Sequence, residues 1–148
     1  MKTFKEVRQY LNSIPDINCG GCAIAALAMQ RWLKKNRNKE SIIVYYHSFY
    51  SSESYHVNQK YNLGIVKYPS SCTHATVRVS SKNYDSEGLH KTSRYFRKII
   101  LDEKGIIKSI NRYSIWNDDF DRKYIKEIEC KLDIDLSDIK VKRRTIKQ

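Results

Sequence analysis

Glycine and proline are scarce in this chain: five glycines and two prolines among 148 residues. There is no Gly/Pro/Ser-rich linker, no internal repeat and no low-complexity tract, so residues 1–148 read as a single domain, long enough to bury a core. Long apolar runs are also missing. No stretch approaches the roughly 18 consecutive apolar residues of a spanning helix, and the mean hydropathy is −0.65. This predicts a protein with no membrane span. Met1 to Tyr10 is charged and amphipathic, without the apolar core of a signal peptide. The expected site of action is therefore cytoplasmic, in the producing cell or in an infected host cell. Cysteine is limited to Cys19, Cys22, Cys72 and Cys130. That is too sparse for a disulfide scaffold, and points to catalytic or metal-binding thiols.

Basic residues are plentiful. Lys and Arg number 28 against 16 Asp and Glu, a formal charge of +12. The excess is spread along the chain, with a basic tail over 140–148. It suits an acidic protein or nucleic acid as partner, or is simply a solvated face. The basic segments interleave few aromatics, which argues against single-strand stacking. Abundant Lys, Ile, Asn and Tyr fit an AT-rich coding sequence, as in small bacterial and phage proteins.

Two of the five glycines adjoin in Asn18-Cys19-Gly20-Gly21-Cys22, which runs straight into the apolar stretch Ala23 to Met29. The spacing predicts a helix from Cys22 to about Lys35, with Cys22, Ala25, Ala26, Met29, Trp32 and Leu33 on one face. A thiol in the first turn meets unpaired N–H groups and the positive end of the macrodipole, and both favour thiolate. The competing reading is a small core residue. Elsewhere, Thr3 caps a short helix to Leu11, and Ser41–His47 is a strand. Tyr61–Tyr68 suggests an edge strand. His74–Val79 alternates and turns at Ser80–Asn83 into a partner strand through Tyr84-Asp85, a β-hairpin. Thr92–Leu101 fits helix or strand, and Ile106–Ile115 is short and mixed. Asp118–Leu132 is helical, with Asn117 as cap.

A cysteine nucleophile needs a base and a group that orients the base. Of His47, His56, His74 and His90, His74 is the best placed, at the start of a strand. The hairpin register brings Asp85 near His74 to Thr76, where its carboxylate can hold the imidazole. Alternatively, Asp85 only closes an Asx-turn. The same region permits a Cys₃His zinc site from Cys19, Cys22, Cys72 and His74. That would make the chain a non-catalytic basic protein contacting nucleic acid or an acidic partner. The nucleophile reading needs no cofactor.

Cys19-Gly-Gly-Cys22-Ala, leading into its apolar helix, resembles the nucleophile segment of papain-like cysteine peptidases, the bacteriocin-processing peptidases among them. His74-Ala-Thr-Val-Arg-Val and Tyr84-Asp-Ser-Glu-Gly88 resemble the His- and Asp-bearing strands of that superfamily, including its deubiquitinase-like branches. The likeness spans roughly residues 15–90. It implies an α+β papain-like fold, with an N-terminal nucleophile helix packed on a small antiparallel sheet. It also implies Cys22 as nucleophile, His74 as base and Asp85 as orienter, cleaving a peptide, protein or other amide bond through a thioester; acyl transfer uses the same triad. Papain-like enzymes place an oxyanion-binding glutamine six residues before the nucleophile. Here that position is Asp16, and Asn18 is the nearest amide.

Overall fold

A computed structural model describes residues 1–15, 17, 21–48, 74–89, 96–113 and 122–140. Among them run four helices, α1 (Phe4–Asn12), α2 (Cys22–Arg37), α3 (Glu103–Tyr113) and α4 (Arg122–Leu132), and five strands, β1 (Ile42–Ser48), β2 (His74–Val79), β3 (Lys82–Asp85), β4 (Gly88–Leu89) and β5 (Phe96–Leu101). The strands form one antiparallel sheet in the order β4-β3-β2-β1-β5. The architecture is α+β.

α1 begins where Thr3 predicts. Its Oγ1 accepts the Glu6 N–H at 3.1 Å and its hydroxyl donates to the Glu6 carboxylate at 3.0 Å, relieving one of the orphan donors of the first turn. Val7 and Leu11 are buried. α2 starts at Cys22 as expected, but its burial is wider than one stripe. Every residue from Cys22 to Met29 is buried, and Trp32 and Leu33 after them. The reason is position: α2 contacts β1, β2 and β3 and also α1, α3 and α4. A helix enclosed on all sides has no polar face to keep, and its alanines let the neighbours approach. Polarity returns at Arg31, Lys34, Lys35 and Arg37, where the helix emerges and cations suit the dipole. It ends in a left-handed Asn38, with the Lys39 N–H returning to the Leu33 carbonyl.

The β2–β3 hairpin turns more tightly than Ser80–Asn83. Ser80 and Ser81 alone make the loop, both with positive φ (48° and 69°), and Val79 pairs with Lys82. This is the two-residue turn whose twist matches the flanking strands. The register pairs Arg78 with Asn83 and Val77 with Tyr84; continued one step, it sets Asp85 opposite Thr76 and diagonal to His74. Ala75, Val77 and Val79 lie in the core with Ile43, while His74 and Arg78 are half-buried.

Of the ambiguous stretch Thr92–Leu101, the described residues Phe96–Leu101 are a strand, paired along β1 from Ser48↔Phe96 to Ile43↔Leu101. In the short, mixed stretch Ile106–Ile115 the described residues, to Tyr113, are helical. Asp102 Oδ1 accepts the Gly105 N–H at 2.7 Å and caps α3, and Ile106 and Ile110 are buried one turn apart. α4 buries Ile125, Ile128 and Leu132; the expected cap Asn117 lies outside the described residues, as do the expected strand Tyr61–Tyr68 and tail residues 141–148. No described helix is long and apolar enough to cross a membrane.

Candidate active site

Cys22 is the first residue of α2 and is 7% exposed. Gly21, the N-cap, offers no side chain, and the first turn carries no acidic residue. The Ala25 N–H is the first to close the helical ladder, onto the Gly21 carbonyl at 2.9 Å. The N–H groups that precede it have no intrahelical acceptor and concentrate positive potential around the sulfur.

His74 opens β2, the strand along which α2 packs. Its Nε2 lies 2.8 Å from Asp85 Oδ2. The other carboxylate oxygen, Oδ1, accepts the N–H groups of Glu87 at 2.9 Å and Gly88 at 3.1 Å. The Asx-turn and the imidazole partner are thus not alternatives: one oxygen of Asp85 closes the turn and the other holds His74. Gly88 sits at φ +132°, a conformation that side chains other than hydrogen rarely adopt.

Burial works to keep the His74 imidazole neutral. Burial is the largest single influence, but the hydrogen bond to Asp85, a hydrogen bond to the Cys22 side chain and the Cys22 and Asp85 charges together outweigh it, so the pKa rises from 6.5 to about 9. Burial would likewise raise Asp85; the His74 hydrogen bond and charge and the two turn N–H groups overcome it and leave the carboxyl below its usual value. At neutral pH the ring is therefore an imidazolium between a carboxylate and a sulfur. In that state Nε2–H donates to Asp85.

Cys22, His74 and Asp85 are thus brought into one hydrogen-bonded chain. Asn18, the candidate oxyanion amide, and Asp16 lie outside the described residues, as do Cys19, Cys72, His56 and His90. His47 is a backbone position on β1, and Cys130 is an exposed free thiol on α4. Of the zinc set, Cys22 and His74 lie together. Among the described residues no group of three ligating side chains could hold a metal, and Cys19 and Cys72 are not among them. Sequence reasoning missed the support behind the acid. Ser86, 3% exposed, donates from Oγ to Asn12 Oδ1 at 3.3 Å. The only trace of this in the chain is the helical spacing of Phe4, Arg8 and Asn12.

Compared with family models, curated proteins and solved structures, the chain gives no match.

Proposed function

We propose that this protein is a papain-like cysteine hydrolase acting on a peptide or protein amide. The reading is carried by one observation: the Cys22–His74–Asp85 chain of hydrogen bonds at the start of a buried helix. The resting pair is thiolate and imidazolium, because each charge stabilises the other where burial weakens solvent screening. The sulfur attacks the substrate carbonyl carbon and the C=O π pair moves onto oxygen. The Cys22 backbone N–H at the α2 start and the Asn18 amide are the donors for that oxyanion. As the intermediate collapses, His74 gives its proton to the leaving amine and the C–N bond breaks, leaving a thioester. Neutral His74 then takes a proton from water, hydroxide adds to the thioester, and the acid departs as the thiolate and imidazolium re-form. Asp85 holds the ring orientation throughout. The net charge of +12 suits an acidic protein substrate.

The test is acylation by p-nitrophenyl acetate in a Cys130→Ser background, followed by mass spectrometry. The expected result is a burst of nitrophenol, an acetyl group on the Cys22 peptide and slow turnover. Cys22→Ala abolishes the burst, and His74→Ala slows it by about tenfold or more, through the lost thiolate fraction. A burst rate unchanged in His74→Ala overturns the reading.

A further inference from the structure

The acid of this site is supported from outside the sheet. Phe4, Arg8 and Asn12 recur every four residues along α1, and each touches the segment that carries Asp85. The Phe4 ring meets the Tyr84 ring edge-on, with centroids 5.4 Å apart. The Arg8 guanidinium lies 5.3 Å from the centroids of both Phe4 and Tyr84. Its Nη1 fills the space over Gly88, where an added Cβ would come within 3.1 Å of it. Asn12 Oδ1 accepts the Ser86 hydroxyl. The contacts fall on Tyr84, Ser86 and Gly88, on both sides of Asp85 and along the turn whose N–H groups fix its Oδ1. Asn12 also ends α1, and residues 13–21 lead from it to Cys22. One end of one helix therefore abuts the acid turn and begins the link to the nucleophile.

We infer that α1 is a positioning element of the site: Asn12, through Ser86, together with Arg8 over Gly88, holds the β3–β4 turn so that Asp85 Oδ2 stays within reach of His74. The inference rests on the proposed triad and adds a residue pair that acts through it, by way of the turn that carries Asp85. Asp85 needs such support. Its turn contains a residue at φ +132°, and β4 pairs over only two positions, so the strand ladder alone holds the turn weakly. The Ser86–Asn12 bond is long at 3.3 Å, so its removal should loosen the carboxylate and not displace it.

The experiment follows the His74 ring by NMR titration in Asn12→Ala, Asn12→Asp, Ser86→Ala and Val7→Ala, with thermal unfolding of each. Val7 is a buried α1 residue outside the contacts to the turn, and reports loss of helix packing alone. The expected result is a fall in the His74 pKa on the order of half a unit to one unit in Asn12→Ala and Ser86→Ala. Asn12→Asp keeps an acceptor oxygen and restores the wild-type value. Val7→Ala lowers the melting temperature most and leaves the titration unmoved. An unchanged His74 titration in Asn12→Ala and Ser86→Ala overturns the inference, as does an equal fall in Val7→Ala. The outcome is separable from the test of the triad: a His74-dependent acetylation burst with an Asn12-independent titration removes only the role of α1.

Discussion

The ionisation of His74 governs how this site depends on pH. The folded pKa, about 9, lies above the ordinary 6.5. The imidazolium interactions therefore stabilise the fold fully below about 6.5, and that contribution fades as pH rises through 9. Asp85 is shifted the other way, so its contribution is present above its ordinary 3.8 and is lost as pH falls through the lower folded value. Both shifts describe the same hydrogen bond and are not additive. Wild type is expected to be more stable at pH 6 than at pH 9.5 by a margin that His74→Gln removes, measured by urea unfolding at both values. Proton transfer to the leaving amine, and with it cleavage of an amide, is expected to decline above about pH 9, as the proton on His74 is lost. Asp85→Asn keeps the turn acceptor but removes the charge. Its expected signature is a His74 titration displaced downward and an acetylation burst slowed on the order of 10- to 100-fold.

Among the elements, α2 and the β2–β3 hairpin set the geometry. α2 is enclosed along its first two turns, so added volume has nowhere to go. Ala26, 0% exposed, is expected to tolerate leucine at a cost of about 1–3 kcal/mol, and Leu27→Ala to cost about 2–5 kcal/mol through the cavity left. Either can shift Cys22 relative to β2, so urea unfolding should be read beside the burst rate. The hairpin carries the opposite opportunity. Serine at two successive positive-φ positions is a strained choice. Replacing Ser80-Ser81 by Asn-Gly is expected to stabilise the fold by about 1 kcal/mol with the register unchanged. An unaltered His74 titration would check that Asp85 has stayed in place.

Across the molecule, the segment after α4 is fastened to the C-terminal half of α2. Arg31 holds both oxygens of Asp138 at 2.8 and 2.6 Å, the Asp135 carbonyl at 2.6 Å and Glu103 at 2.9 Å. Lys35 pairs with Asp133 at 3.0 Å. The Arg31 side chain is 18% exposed, against 40% for Asp138 and 62% for Glu103. Exposure decides which contact matters. Asp138→Ala is expected to cost about 1–2 kcal/mol, since it breaks a two-pronged bond to a mostly buried guanidinium. Glu103→Ala should cost under about 0.5 kcal/mol. Thermal unfolding separates the two, and hydrogen exchange over 133–140 should quicken only in the former.

Much was legible in the chain because it is local. The Thr3 cap, the start of α2 at Cys22 and the alternation of His74–Val79 follow from rules that act within a few residues. So does the pairing of His74 with Asp85, which depends on one tight turn. What the tertiary structure decided is what depends on neighbours distant in sequence. Thr92–Leu101 could not be assigned from its own pattern; β1 makes its last six residues a strand by pairing with them. The one-sided stripe of α2 became an enclosed helix because strands and helices close on it from several directions. The two roles of Asp85 looked exclusive in the sequence, which does not say where each oxygen points. The hand of α1 on the acid turn was invisible, since Asn12 and Ser86 are far apart in the chain and meet only when the helix lies across β3 and β4.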